Sequence, residues 1–348
     1  MTTRFATPKE TAQWDDLLAQ NPDGGNVFQA QEMAETKRAN GWAPRYIMCD
    51  GLAITALEKR VFAHGALWYL PKGPGVCSQT EAIAVARQLR PFAAQYGVFA
   101  IKFEPELPED TGDGALFSEA GFVKTPAVQP NVSTVILDLS PDLETIMISL
   151  PQKGRHAIKR AQRDGVKTRP VPLTKENMQI MFELLSATAK GRFESSLRGF
   201  GYYQAFWQRF AQTGRGQLFF AYVDGSVVAA AYCMYLGRKG LYKDGASVRE
   251  RTTYGASHLL QWEIIQWMKA RGVTSYDLCG APHSRHINDE THAFYGVGRF
   301  KTSLNKLVTD YIGCYDLVIN PRAYRRWQRF TQRLVISLSW RVKKRQWF

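Results

Sequence analysis

Four constellations in this sequence of 348 residues could carry chemistry. His283, His286, Asp289, Glu290 and His292 bring three imidazoles and two carboxylates into one short stretch, a donor set able to bind zinc. Their spacing fits no single face of a helix or strand. The expectation is a polar loop near a substrate, with no metal assigned. Arg251-Thr252-Thr253-Tyr254-Gly255-Ala256 stands between a strand-like run and a helix-like run. It nearly spells the glycine loop on which acyl-CoA-using enzymes hold a pyrophosphate, but has one residue too many before the glycine. The third constellation is Arg155, Lys159 and Arg163, spaced one helical turn apart with no acid before Asp164. Such a cationic stripe suits a phosphate backbone. The fourth is Gly298-Arg299-Phe300-Lys301, which reads alone as a strand residue with its amine in water. His64, His156 and His258 are isolated, and no G-x-S-x-G elbow occurs, so a serine hydrolase is not supported.

The elements that must position these residues alternate between helix and strand. Helices are predicted over 9–20, 28–38, 79–96, 143–150, 154–164, 176–189 and 202–212 from apolar spacing. Strands are predicted over 45–48, 54–62, 66–70, 98–104, 132–139, 240–244 and 273–278. Asp224-Gly225 between two β-rich runs marks a hairpin. Ser257 is read as the cap of a helix ending before Gly272. The two halves echo one another loosely, and the class is α/β or α+β with mixed sheets.

Composition bounds the rest. The chain is 45% hydrophobic and 22% charged, which supports packed cores. No apolar run approaches the roughly 18 residues of a spanning helix, and no leader is visible, so a cytoplasmic protein is expected. Five cysteines, widely spaced and without a CxxC pair, argue against a disulfide framework or a zinc ribbon. The net charge of +14 is uneven: from Arg322 onward there are nine basic residues and no acidic one, mixed with Trp327, Phe330, Leu334, Trp340 and Trp347. A basic tail of this kind suits an anionic partner, either nucleic acid or a membrane surface.

Taken in order, these segments resemble the FemABX family, the aminoacyl-tRNA-dependent transferases that build peptidoglycan cross-bridges. The likeness runs through Phe28-Gln29, Lys37, Gly41-Trp42, Tyr69-Leu70-Pro71-Lys72-Gly73-Pro74 and Phe103-Glu104-Pro105. It continues through Gln129-Pro130, Leu137-Asp138-Leu139 and the 154–164 helix. Asp244-Gly245-Ala246-Ser247, Leu260-Gln261-Trp262-Glu263, Tyr276-Asp277-Leu278, Phe300-Lys301 and Tyr311-Ile312-Gly313 complete it.

The resemblance implies two acetyltransferase-like (GNAT-like) domains, without the long coiled-coil arm of some members. The expected division is 1–144, completed by 317–348, and 145–316. It implies that a stem-peptide amine attacks the ester of an aminoacyl-tRNA, transferring glycine, alanine or serine. Lys301 would meet the developing oxyanion, Phe300 would shape the tRNA end site, and Glu104 would orient the amine. Lys37 with Arg249 or Arg251 would hold the precursor diphosphate, with Tyr276 also on the substrate side. Arg155, Lys159 and Arg163 would meet tRNA. No cofactor is implied beyond aminoacyl-tRNA as co-substrate. The acceptor would be lipid II or UDP-MurNAc-pentapeptide, the protein a monomer, and the basic tail a contact to the inner leaflet of the plasma membrane. Two other readings stay open: an acyl-CoA-dependent N-acyltransferase, and a non-catalytic tRNA- or membrane-binding protein.

Overall fold

A computed structural model describes residues 2–109, 115–129, 132–190, 197–248, 254–343 and 347. The chain divides into two compact units: Met1–Val132 with Tyr311–Phe348, and Ser133–Asp310.

The first unit is built on a seven-stranded sheet. Thr3–Phe5, Ala43–Cys49, Leu52–Val61 and Gly65–Pro71 form an antiparallel run, and Val98–Glu104 then lies parallel to Gly65–Pro71. Parallel neighbours need a crossover, and helix Gln79–Gln95 supplies it. Ser78 and Glu81 close a capping box at its start, and Ala82, Val85, Ala86 and Leu89 turn one apolar face to the sheet. Val98–Glu104 is buried along its whole length, as a strand covered on both faces must be. Cys314–Val318 pairs antiparallel with it, and Phe122–Thr125 joins the sheet only through Cys314–Val318. Lys102 on Val98–Glu104 is buried against Asp316, with Nζ 2.6 Å from the carboxylate and 2.8 Å from the Thr125 hydroxyl. Tyr324 of helix Pro321–Arg326 donates its hydroxyl to the other Asp316 oxygen at 2.8 Å.

The second unit repeats the scheme. Lys167–Val171, Gly216–Val223, Ser226–Leu236 and Lys239–Ser247 run antiparallel. Helix Ala256–Lys269 then crosses over to Ser275–Asp277, parallel to Lys239–Ser247. Ile136–Asp138 pairs antiparallel beyond it, and a small ladder joins Ser133–Thr134 to Thr309–Asp310. Asp224 and Gly225 both have positive φ, 48° and 79°, as the tight hairpin turn requires. Gly255, at φ 86°, opens the crossover helix where a Cβ would lie 2.2 Å from the carbonyl oxygen of Ala157. Helices Gln152–Arg163 and Ala256–Lys269 therefore meet at a contact only glycine allows.

Several expectations are corrected. The helix cap is Gly255, not Ser257, because the close approach to Ala157 fixes where the helix begins. The first helical stretch is two short helices, Pro8–Ala12 and Trp14–Ala19. The 132–139 strand splits in two, one piece in each sheet of the second unit. That pairing moves the boundary from 144/145 to 132/133. The return to the first unit comes at 310/311 rather than 316/317, because Ile312 N bonds to Leu107 O and Cys314–Val318 belongs wholly to the first sheet. Among the described residues the longest helix is Gln79–Gln95, so the compact form without a helical arm is what the structure shows.

Candidate active site

Lys301 lies in helix Tyr295–Thr302, not in a strand. Gly298 of that helix faces Pro282 and Ile287, where an added Cβ would come within 2.8 Å of both side chains. The helix is thus set by its close contact with the 280s loop. Gly154 does the same behind it, facing the Ser303 carbonyl where a Cβ would sit 2.0 Å away.

The Lys301 side chain is 6% exposed. Its ammonium donates to the carbonyl oxygens of Cys279 and, at 2.7 Å, Gly280. Those carbonyls converge because Cys279 sits at φ 63°, a conformation that costs a residue with a side chain of order 1 kcal/mol or more. Asp277 holds the turn, accepting from the Cys279 backbone N–H at 2.5 Å and from the Thr134 hydroxyl. Burial pulls the Lys301 pKa below the ordinary lysine value, while the Cys279 and Asp277 neighbours act in the opposite direction. The Tyr242 ring lies 5.9 Å from the ammonium. A buried, carbonyl-anchored lysine whose charge is strained is a recognised mark of chemistry.

Phe300 packs on the second unit's core, with its ring 4.9 Å from that of His258. His258 is not isolated: its Nε2 lies 2.8 Å from the Ser303 hydroxyl. Burial first, and Lys153 second, lower its pKa from 6.5 to about 4. The unfolded chain takes a proton at pH 6.5 that the folded chain refuses until about pH 4, so this stabilisation is complete above 6.5. It should fall by up to about 3 kcal/mol as pH drops through that window. Urea midpoints at neutral and mildly acid pH check this. His258→Gln, which keeps a hydrogen-bonding group near Ser303, should flatten the slope, and an unchanged slope would show that His258 is not its source.

In the first unit, Glu104 ends the strand Val98–Glu104 with its carboxylate buried. It accepts from the Tyr69 hydroxyl and from the backbone N–H groups of Val128 and Gln129 at 2.8 and 2.9 Å. Gln129 Nε2 in turn donates to the Tyr69 oxygen at 3.2 Å. Burial and the Glu104 charge push the Tyr69 pKa well up. Glu104 therefore fixes the 128–129 segment and the Tyr69 hydroxyl. Lys37 is buried in the last turn of helix Gln31–Arg38.

Lys72 lies in a segment that carries the family likeness, but is given no role of its own there. It is buried at positive φ (53°), with Nζ 3.9 Å from Glu106 and 5.0 Å above the Tyr311 ring. Local spacing reads Pro71-Lys72-Gly73-Pro74 as a turn and gives no sign that the lysine is buried.

Other expected residues fare differently. Arg249 and Arg251 lie outside the described residues. Tyr276 is wholly inside the second core, its hydroxyl 2.8 Å from Gln261 and 3.4 Å from Cys233, so it is a packing residue with no face to a substrate. Arg155 turns back to the carbonyls of Ile148 and Leu150 at 2.6 and 2.9 Å, closing the end of helix Leu143–Ser149. Lys159 and Arg163 remain exposed. In the histidine-rich loop, Asp289 accepts from Thr291, and Glu290 accepts at 3.0 Å from Tyr295, the first residue of the following helix.

Residues 152–292 match the Acetyltransferase (GNAT) domain family. Over 96% of its length the chain is 21% identical to the lipid II:glycine glycyltransferase of Staphylococcus aureus (strain USA300), 99% of which is covered. A crystal structure of FemX superposes with a TM-score of 0.79 at 20% identity, covering 93% of this chain and 99% of that one. The L-PGS of Bacillus licheniformis superposes with a TM-score of 0.53 at 17% identity, covering 95% and 98%.

Proposed function

The chain is FemX-like in fold and similar to a FemABX-type enzyme along nearly its whole length, and from that premise we propose that it transfers an amino acid from aminoacyl-tRNA to a peptidoglycan precursor. The acceptor is lipid II, the substrate in the relatives' name, in preference to the soluble UDP-linked pentapeptide. The stem amine attacks the ester carbonyl, forming a C–N bond. The carbon–oxygen ester bond then breaks, and the proton released by the amine ends on the departing tRNA hydroxyl. The ester is already activated, so alignment and charge stabilisation supply most of the acceleration.

The observation that carries this reading is the anchoring of Lys301. Its two carbonyl partners use two of three ammonium N–H bonds and fix the nitrogen. The third is available to the oxygen that becomes negative as the amine adds. Phe300 beside it borders the adenosine end of the tRNA. Glu104 acts through the 128–129 segment, Lys37 and Lys72 hold the diphosphate, and Lys159 and Arg163 meet the tRNA backbone. No described helix is long and apolar enough to cross a membrane. The protein works as a monomer on the inner leaflet, where its acceptor is presented. The GNAT match favours one other reading, acyl transfer from acyl-CoA.

The test supplies tRNAs charged with glycine, alanine or serine one at a time, with lipid II and with the UDP-linked pentapeptide, and weighs the products. A mass gain of one aminoacyl residue, dependent on one charged tRNA and larger with lipid II, is expected. A gain that requires acetyl-CoA, or none with any charged tRNA, overturns the reading.

A further inference from the structure

The most exposed large apolar side chain among those described is Phe62, at 96%. It stands at the tip of the hairpin between Leu52–Val61 and Gly65–Pro71, next to Ala63 at φ 60°. A phenylalanine held fully in water at a tight turn gains nothing from burial, and this tip is not loose. Arg326 Nη2 donates to the Ala63 carbonyl at 3.2 Å, the Thr331 hydroxyl lies 3.1 Å from His64 Nε2, and the His64 ring meets the Trp327 ring edge-on at 6.2 Å. The C-terminal helical segment thus clamps the hairpin and fixes where Phe62 points out.

That segment has its own outward apolar stripe. Trp327 is buried and anchors it, whereas Phe330, Leu334 and Leu338, four residues apart, are 73%, 59% and 48% exposed. At its start Arg322, Arg325, Arg326, Arg329 and Phe330 line an open depression of about 420 Å³. Among the described residues none of these four guanidinium groups has a carboxylate within ion-pair distance. Solvated basic helices normally intersperse acids, and here there is none after Arg322. Exposed aromatics beside arginines without a carboxylate partner on one surface match a lipid–water interface, with rings at the acyl boundary and guanidinium groups on phosphates.

We infer that the Phe62 hairpin tip and the exposed face of the C-terminal helix form one docking surface for an anionic phospholipid bilayer, with the arginine depression as its headgroup site. The inference deepens the proposed function by giving the acceptor's membrane a specific seat, and rests on that reading for its purpose but not for its test. Because arginine meets a phosphate in a planar, two-point geometry, the depression takes headgroup phosphates better than a lysine cluster would.

The test is co-sedimentation of the full chain with phosphatidylcholine vesicles, with or without one-third phosphatidylglycerol. Binding should require the anionic lipid and weaken with salt. Phe62→Ser and Phe330→Ser should each lower partitioning by roughly tenfold, since each removes an interfacial ring. Arg325→Gln with Arg329→Gln should abolish the preference for anionic lipid. Transfer to the soluble UDP-linked acceptor serves as a folding and activity control, and Phe62→Ser should leave it unchanged. No binding by the unaltered chain, or binding indifferent to Phe62, Phe330 and both arginines, overturns the inference. So does a loss of tRNA affinity in the arginine variant with vesicle binding intact, because the surface would then be an RNA site. Vesicle binding as expected together with no transfer from any charged tRNA would sink the enzymatic reading alone.

Discussion

Replacing Lys301 by alanine is expected to lower kcat by about 10²- to 10³-fold, the loss typical of removing one preorganised donor to an oxyanion. KM for charged tRNA should barely move, because a group that acts only as charge develops contributes to the transition state and not to the ground state. The fold should survive, since burial already disfavours the Lys301 charge in the native chain. The pH profile adds a readout that a structural role would not give. The folded pKa is lowered from 10.5, so the protonated fraction, and with it the rate, should fall along an alkaline limb below pH 10.5. Lys301→Arg, which cannot lose its proton, should remove that limb while restoring little rate, its planar fork being mismatched to the two carbonyl anchors. Steady-state kinetics with circular dichroism as control decide the matter. An alanine variant retaining more than a third of the rate would end the assignment.

The second large effect is on stability. Lys102→Met should cost about 3–5 kcal/mol, because it leaves the Asp316 charge buried beside Tyr324 with its cation gone. Lys102→Met combined with Asp316→Leu should recover most of that loss, since a buried pair often contributes little more than well-packed apolar groups of similar volume. In the native chain burial works against the Lys102 charge, but Asp316, helped by Cys314 and Glu104, outweighs it and holds its pKa above the ordinary lysine value. Denaturant midpoints of the two variants give the comparison. A single substitution that costs less than about 1 kcal/mol would mean that water already reaches the pair.

Much of the frame was legible because its signals are local. The Asp224-Gly225 turn, the 79–96 helix and the buried 98–104 strand each carry their own spacing or turn chemistry, and the structure has all three. The Phe300-Lys301 pair was singled out by its order along the chain, but the helix that carries it was not legible. Gly296, Val297 and Gly298 are poor helix formers, and what fixes Tyr295–Thr302 is the close contact of Gly298 with Pro282, invisible along the sequence. The first domain boundary failed for a related reason. Nothing near 133–138 says that Asp138 will face Ser275 in the ladder. Arg155 shows the limit of helical spacing: the i, i+4 rule places it on the cationic stripe, but the bend at Pro151 brings the carbonyls of Ile148 and Leu150 within its reach. The burial of Lys72 was not legible because a lysine inside a Pro-Gly turn looks solvated until the backbone folds over it.

The late return of the chain to its first sheet has a consequence for biosynthesis. During translation the strand Val98–Glu104 emerges long before Cys314–Val318, its neighbour, and Phe122–Thr125 has no place in the sheet until that neighbour arrives. The edge of this largely apolar strand, with Lys102 not yet paired to Asp316, is therefore open while the whole inserted unit is being made, a period in which a nascent polypeptide is vulnerable to sticking to itself. Arrival of Cys314–Val318, rather than emergence of the amino-terminal half, is the event that lets that half close.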